Sequence, residues 1–142
     1  MKAVNVRGTQ TVVDACVAAG VWALVHTSTI DVLCGGGDVH LATEQTPYPP
    51  RFLDAYGRTK AESERRVRAA TNLHSVILRF AAMYGEGDPY KVPAMLAEAR
   101  AGRLLFRIGN GRSHMQPVYV GNAAHVTLLA VDRLLANDPA VV

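Results

Sequence analysis

The chain has 142 residues, of which 49% are hydrophobic and 19% charged, and its formal net charge is +3 at pH 7. This composition is typical of one globular domain, excludes a mainly disordered chain and permits a core without disulfides or metals. The longest apolar run, residues 15–25, is too short to cross a bilayer, which takes about 20 residues. The N-terminal residues carry no signal-peptide pattern, so we expect an intracellular protein, cytoplasmic or peripheral to a membrane.

The positive charge is dispersed along the chain. The one tight basic group is Arg65, Arg66 and Arg68, and Glu62 and Glu64 alternate with it. Such mixing is typical of a solvated helix face, so we expect no nucleic-acid partner. The histidines lack the spacing of a helical metal site, and we expect no bound metal.

Helix-like and strand-like segments alternate along the first half of the chain, the pattern of an α/β fold. An apolar stripe over residues 6–19 predicts a helix that ends at Gly20. The apolar run 21–25 predicts a parallel strand buried on both faces, which terminates in the polar residues 26–29. The glycines and prolines of 33–52 predict a long loop.

The next predicted element is a helix over 55–70, because Asp54 suits an N-cap and the segment is rich in helix-forming residues. The apolar run 75–78 predicts the next strand. The Gly-Glu-Gly-Asp segment at 85–88 is the best boundary between two parts of the chain. The remaining predicted elements are a helix over 93–101, strands over 104–108 and 117–120, and a helix over 122–135 with Val126, Leu129 and Ala130 on its inner face.

One pair on the helix predicted over 55–70 can perform acid–base chemistry. Tyr56 and Lys60 are four positions apart, so their side chains project from the same helix face. A neighbouring ammonium favours the phenolate form of a tyrosine, which lets the phenol exchange a proton with an alcohol or a ketone. The spacing alone favours an ordinary solvated face, since helices often carry both residue types.

The hydroxyl residues Ser28 and Thr29 change that balance. Ligands of open parallel sheets bind beyond the carboxyl ends of the strands, and these residues end the strand that precedes the helix with Tyr56. A hydroxyl beside the reacting oxygen, a tyrosine that moves its proton and a nearby lysine form an alcohol or ketone redox site. Adjacent strand residues point to opposite faces, so the sequence leaves the choice of hydroxyl open.

Six short motifs occur along the chain in an order and spacing that are highly specific when taken together. They are Asn-Val-Arg-Gly-Thr at 5–9, Val-His-Thr-Ser-Thr at 25–29 with Val32, Tyr-Gly-Arg-Thr-Lys-Ala-Glu at 56–62, Leu-Arg at 78–79, Tyr-Gly at 84–85 and Val-Tyr-Val-Gly-Asn at 118–122. With them the chain resembles the central part of an extended short-chain dehydrogenase/reductase. Thr-Ser-Thr-Ile-Asp-Val at 27–32, Ile-Gly-Asn-Gly at 108–111 and Val-Tyr-Val-Gly-Asn at 118–122 most resemble the 3β-hydroxysteroid dehydrogenase/isomerase family within that superfamily. The resemblance implies a partial Rossmann-like parallel sheet, the C-terminal part of a dinucleotide-binding domain, over 1–84. It implies a small α/β substrate-binding part over 85–142.

The resemblance also implies a role for each residue of the candidate site. Tyr56 corresponds to the proton donor and acceptor, and Lys60 to the residue that tunes it and binds the nicotinamide ribose. Thr29 corresponds to the hydroxyl beside the reacting oxygen, with Ser28 as the alternative. Asn5 corresponds to an asparagine that helps to hold a water in the proton path, and an ordinary polar residue of the first helix is the alternative interpretation.

The resemblance implies a nicotinamide cofactor, NAD or NADP. Phe80, Ala81 and Ala82 follow the second strand, where family members lay backbone against the nicotinamide, although a place in the core fits them as well. Family members open with a strand and a glycine-rich turn that holds the pyrophosphate. The glycine run Gly35–Gly37 lies instead within a loop, so we expect only part of the cofactor site in this chain.

The implied function is an oxidoreductase acting on the CH–OH group of a steroid or sterol-like alcohol. A nucleotide-sugar epimerase or dehydratase of the same superfamily is an alternative, and a truncated, non-catalytic remnant is another. Nucleotide-sugar enzymes commonly carry an asparagine at the position of Ala82. An apolar residue there favours a lipid-like small-molecule substrate, because a buried diphosphate would lose a polar partner. The resemblance also allows a homodimer.

Overall fold

The computed structural model of the chain describes residues 1–89, 91–104, 110–112 and 114–137. Helices and strands alternate, which confirms the predicted α/β class. The elements in chain order are a π-helix over Lys2–Gly8, α1 (Thr9–Ala18), β1 (Ala23–Thr29), a 3-10 turn over Ile30–Leu33, α2 (Ala55–Ala69), β2 (His74–Phe80), β3 (Met83–Tyr84), α3 (Lys91–Arg100), β4 (Val118–Tyr119) and α4 (Val120–Leu135).

Two parallel strand pairs organise the chain. β1 and β2 pair from Ala23 opposite His74 to Thr29 opposite Phe80. β3 and β4 form a shorter parallel pair. The helices α2 and α4 both contact β1 and β2, and α1 contacts α2. The carboxyl ends of β1 and β2 therefore lie side by side, next to the helix that carries Tyr56.

Local sequence signals set the ends of two helices. Gly20 follows α1 with a φ of +68°, a left-handed conformation that glycine adopts without strain. At the start of α2, the carboxylate of Asp54 accepts a hydrogen bond from the backbone N–H of Gly57 at 2.8 Å. This contact satisfies one of the free donors of the first turn, as predicted for an N-cap.

The strand β1 differs from the prediction at both ends. It begins at Ala23, and Val21 and Trp22 are each 44% exposed rather than buried in a strand. It continues to Thr29, so the hydroxyl residues belong to the strand. Polar residues can continue a strand because the ladder uses backbone groups, and here they pair with Leu78 to Phe80 of β2.

The later elements also differ in detail. α3 begins at Lys91, where the carboxylate of Asp88 accepts hydrogen bonds from the first two backbone N–H groups of the helix. The strand predicted over 104–108 lies outside the described residues, apart from Leu104. In α4 the prediction of the inner face is correct for Ala130, which is buried, but wrong for Val126 and Leu129, which are 41% and 45% exposed.

The buried stripe of α4 explains that error. It consists of Ala123, Ala130 and Leu134, which lie on one side of the helix. At 100° per residue, Val126 lies about 60° and Leu129 about 120° away from Ala123 around the helix axis. Because the sheet covers only a narrow stripe, these two side chains remain exposed.

The loop between the 3-10 turn and α2 closes on itself at its base. The backbone N–H of Leu53 donates to the carbonyl oxygen of Cys34 at 2.9 Å. A Cβ atom at Gly35 would lie 2.8 Å from the Cβ of Pro49, so glycine permits the two ends of the loop to cross closely. We call residues 34–53 the long loop.

Much apolar surface of the chain is accessible. The chain exposes 10332 Å², compared with about 7,200 Å² for a compact monomer of this length. Within the described residues β1 pairs only with β2, so its other edge is open. None of the helices described has the length and apolar character needed to span a membrane. The exposed apolar side chains include Val12 and Val17 of α1 and Val21 and Trp22 before β1.

Candidate active site

Tyr56 and Lys60 lie one turn apart near the start of α2. The ammonium of Lys60 donates a hydrogen bond to the carbonyl oxygen of Thr27 at 2.5 Å, which places it at the carboxyl end of β1. Burial lowers the pKa of Lys60, and the nearby carboxylate of Glu64 opposes that shift. Tyr56 is 38% exposed. Since no described residue hydrogen-bonds to its hydroxyl, the phenol is accessible to a ligand.

A glycine brings the first turn of α2 close to the strand end. A Cβ atom at Gly57 would lie 2.5 Å from the carbonyl oxygen of Asp31, in the 3-10 turn that follows β1. No side chain fits that gap unless the backbone moves. Because Gly57 directly follows Tyr56, the close approach holds the backbone of Tyr56 beside the turn that follows β1.

Replacing Gly57 by alanine is expected to leave the chain about 1–3 kcal/mol less stable than the matched Gly8→Ala variant, because both gain helix propensity but only Gly57→Ala is overpacked. The matched control is Gly8→Ala, since a Cβ at Gly8 meets nothing closer than 3.8 Å. Urea unfolding of both variants measures the difference. If the two variants are equally stable, the close approach at Gly57 is wrong.

The two hydroxyls at the end of β1 have different environments. The hydroxyl of Ser28 donates to Oε1 of Glu64 at 2.6 Å, and both residues are buried. The hydroxyl oxygen of Thr29 accepts a hydrogen bond from the backbone N–H of Asp31 at 3.2 Å. Ser28 has therefore committed its proton to a carboxylate, whereas Thr29 keeps its proton available for another acceptor.

Asn5 lies in the π-helix, a conformation that often occurs at functional sites. Its side-chain amide donates to the hydroxyl of Thr59 at 3.1 Å, and that hydroxyl donates to the carbonyl oxygen of Tyr56 at 3.0 Å. The carbonyl oxygen of Asn5 accepts from the hydroxyl of Thr9 at 2.7 Å. Asn5 is thus joined to the backbone at Tyr56 through one intervening side chain.

Phe80, Ala81 and Ala82 leave β2 at the edge where β1 ends. Phe80 lies opposite Thr29 in the strand register, and all three residues are half-buried. The carbonyl oxygen of Ala82 accepts from the backbone N–H of Val118 at 3.0 Å, so this segment joins the two strand pairs. The structure thus brings all the residues predicted for the site to α2, the helix beside it or the carboxyl edge of the sheet.

Glu64 is buried, whereas the mixing of acidic and basic residues predicts a solvated helix face for it. Its side chain is fully buried, whereas Glu62 is partly exposed and pairs with Arg65 and Arg66. Burial alone would raise the pKa of Glu64, but hydrogen bonds from Arg79, Ser28 and Tyr48 outweigh it and hold the pKa below its usual value. The available signal is the spacing: Glu64 follows Lys60 by four positions and so shares its inward face.

His26 of β1 is a second polar residue that contacts α2 near the site, and it is not predicted as a site residue from the sequence. Its Nε2 lies 3.1 Å from the hydroxyl of Ser63, which itself donates to the carbonyl oxygen of Lys60 at 2.7 Å. Burial and the Lys60 charge lower the pKa of His26, and Glu64 opposes them. In the part of the chain that the structure describes, no three His, Cys, Asp or Glu side chains are grouped to hold a metal ion.

The fold and the arrangement of its site define the class of protein: a Rossmann-type enzyme fold of the short-chain dehydrogenase/reductase superfamily. A dTDP-glucose 4,6-dehydratase from Bacillus anthracis, solved in complex with NAD, superimposes with a TM-score of 0.75 at 27% identity over 94% of this chain and 43% of that one. A double mutant of the same kind of enzyme from Streptomyces venezuelae, also with NAD bound, gives 0.77 at 30% identity over 92% and 41%.

The sequence narrows the class further. Residues 1–142 match the 3-beta hydroxysteroid dehydrogenase/isomerase family, and the chain belongs to that family. The resemblance inferred from the short motifs is therefore confirmed.

Several curated relatives are named decarboxylating sterol-4-alpha-carboxylate 3-dehydrogenases. The Schizosaccharomyces pombe protein is 38% identical over 138 residues, which cover 96% of this chain and 41% of the relative. The Saccharomyces cerevisiae protein is 40% identical over 140 residues, covering 96% and 40%, and the human protein is 36% identical over 135 residues, covering 92% and 36%. The chain spans about two-fifths of the length of these relatives.

Proposed function

We propose that this chain carries the proton-transfer site of an NAD(P)-dependent oxidoreductase that acts on the 3-hydroxyl group of a steroid or sterol-like alcohol. The contact of the Lys60 ammonium with the Thr27 carbonyl carries the proposal. It holds the Tyr56 and Lys60 pair of α2 against the strand end at Thr29, where ligands of parallel sheets bind. The names of the relatives support the substrate class.

In the direction of alcohol oxidation, each residue has a distinct task. Tyr56 takes up the proton of the substrate hydroxyl, and Lys60 lies one helical turn away, with its ammonium at the carboxyl end of β1. Thr29 donates a hydrogen bond to the reacting oxygen and orients it. Ser28 is not assigned this task, because its proton is already held by Glu64. Asn5 supports the start of α2 through Thr59.

The residues present fit the nicotinamide half of a dinucleotide. The exposed phenol of Tyr56, the Lys60 ammonium and the backbone of residues 80–82 surround one edge of the sheet. We assign residues 1–84 to the dinucleotide-binding part and 85–142 to part of the substrate-binding region. A bound nicotinamide supplies the acceptor for the hydride. The solved relatives were crystallised with NAD, which supports a nicotinamide dinucleotide without choosing between NAD and NADP.

The relatives suggest a more specific substrate, a sterol with a carboxylate at C4. Oxidation of its 3-hydroxyl group yields a 3-ketone beside that carboxylate. Such a β-keto acid loses carbon dioxide readily, because the ketone accepts the electron pair of the broken C–C bond. The apolar Ala82 also favours a lipid over a nucleotide sugar, as it offers a diphosphate no polar side chain.

The test uses a chimeric enzyme in which residues 1–142 replace the matching segment of the S. pombe relative. We expect it to reduce NAD or NADP with a 4α-carboxysterol and to release carbon dioxide, and to give no turnover with dTDP-glucose or UDP-glucose. The unaltered relative is the positive control for the assay. Turnover of a nucleotide sugar without turnover of any sterol would overturn the proposed substrate class.

A further inference from the structure

We propose that Glu64 is a positioning residue of this site, which holds the strand end with Thr29 and the long loop in a fixed relation to the helix with Tyr56 and Lys60. The inference rests on the proposed function, since it assigns the geometry of that same site. It concerns a buried acidic group that touches neither Tyr56 nor Thr29 and has no part in the proton transfer itself.

The Glu64 carboxylate collects donors from three separate parts of the chain. Ser28 of β1 donates to Oε1 at 2.6 Å, and Tyr48 of the long loop donates to Oε2 at 2.6 Å. Arg79 of β2 donates through Nη2 to Oε2 at 2.7 Å and through Nε to Oε1 at 3.0 Å. Both oxygens are therefore fully engaged, as a buried carboxylate requires.

Side chains on two successive turns of α2 hydrogen-bond to two successive residues of β1. Lys60 binds the carbonyl oxygen of Thr27, and Glu64 binds the hydroxyl of Ser28. The next residue of the strand is Thr29. Because a strand held at two adjacent residues cannot slide along the helix, these contacts determine where the hydroxyl of Thr29 lies relative to the phenol of Tyr56.

The long loop is tied to the same carboxylate by Tyr48. Its ring lies near three guanidinium groups, with the Cζ atoms of Arg65, Arg79 and Arg68 at 4.7, 5.5 and 5.9 Å from the ring centre. Its hydroxyl accepts a hydrogen bond from Arg68 at 2.9 Å. Burial and the neighbouring Glu64 raise the pKa of Tyr48, so the phenol keeps the proton that it donates.

Stability alone does not account for this arrangement. Replacing a buried ion pair by apolar residues of similar volume is often neutral or stabilising, because both charges lose their hydration when buried. An apolar pair at positions 64 and 79 could fill the same space. It could not bind Ser28 and Tyr48 directionally, which is what positioning requires.

Three variants of the chimeric enzyme test the proposal. Glu64→Gln keeps the size of the side chain and removes its charge. The double variant Glu64→Leu with Arg79→Met removes both charges and every acceptor, so no unpaired cation remains buried and the fold is expected to survive. Glu62→Gln is the matched control, because Glu62 lies on the same helix and pairs only with partly exposed arginines.

For Glu64→Gln and the double variant we expect kcat to fall by roughly 10- to 100-fold, the effect of a misplacement near 1 Å, with KM nearly unchanged. We also expect faster amide hydrogen exchange in residues 27–33 and in the long loop. Glu62→Gln should leave kcat and exchange unaltered. If the double variant is folded and has the parent kcat, Glu64 is merely structural and the proposal is wrong.

Hydrogen exchange keeps this test separate from that of the proposed function, because it is read without turnover. A chimeric enzyme that oxidises no alcohol would count against the proposed function only. Unchanged exchange at residues 27–33 in the Glu64 variants would overturn the positioning role whatever the activity. Faster exchange with a full kcat would show that the contact orders the strand end but has no effect on catalysis, which also overturns the proposal.

Discussion

Replacing Tyr56 by phenylalanine in the chimeric enzyme is expected to lower turnover by roughly 10²–10⁴-fold, the contribution of a positioned acid–base group. The ring and its packing are retained, and only the transferable proton is lost. KM for the alcohol should therefore change little. Steady-state kinetics with saturating cofactor measure both parameters.

The control for this prediction is Tyr84→Phe. Tyr84 is another exposed tyrosine, and its ring packs against that of Tyr119. It should retain the parent turnover. If Tyr56→Phe keeps turnover within a few-fold of the parent, the assignment of Tyr56 as the proton-transfer residue is wrong.

The 142-residue polypeptide by itself is expected to self-associate, to show no measurable dehydrogenase activity and to bind NADH only very weakly. The apolar side chains of α1, the exposed Trp22 and the open edge of β1 favour association. Most dinucleotide affinity in this fold comes from a glycine-rich turn at a helix N-terminus. The glycine run Gly35–Gly37 lies in the long loop instead, so it does not provide that turn.

Light scattering after size exclusion and an NADH fluorescence titration measure association and binding. Bovine serum albumin is a calibration standard for the first, and the unaltered S. pombe relative is the positive control for the second. A soluble monomer with micromolar affinity for NADH would show that these residues hold the cofactor without further chain, contrary to the expectation.

Features that depend on neighbouring residues along the chain could be predicted from the sequence. The cap at Asp54 and the left-handed Gly20 are read from a few consecutive positions, and both predictions are confirmed. The pairing of Tyr56 with Lys60 on one face follows from the period of a helix. The order of helices and strands is predictable for the same reason, because hydrophobic periodicity is a local signal.

Features that depend on what lies across the fold could not be predicted. Glu64 has the local surroundings of a solvated residue and pairs with Arg68 four positions on, but its hydrogen-bond partners lie 15 to 36 positions away. The exposure of Val126 and Leu129 likewise depends on how much of α4 the sheet covers. The proposal of Thr29 over Ser28 rests on the hydrogen bond from Ser28 to Glu64, a contact across the fold that the strand pattern alone leaves open.

The closed base of the long loop allows the span 36–46 to change in length independently of the strand and the helix that the loop connects. The backbone hydrogen bond between Leu53 and Cys34 and the contact of Gly35 with Pro49 fix both ends of the loop. The span 36–46 therefore joins two ends that are already held together. Doubling the length of such a span costs only about 0.6 kcal/mol in closure entropy. Insertions and deletions between those points can therefore accumulate during evolution without displacing the strand end and the start of α2 that the loop connects.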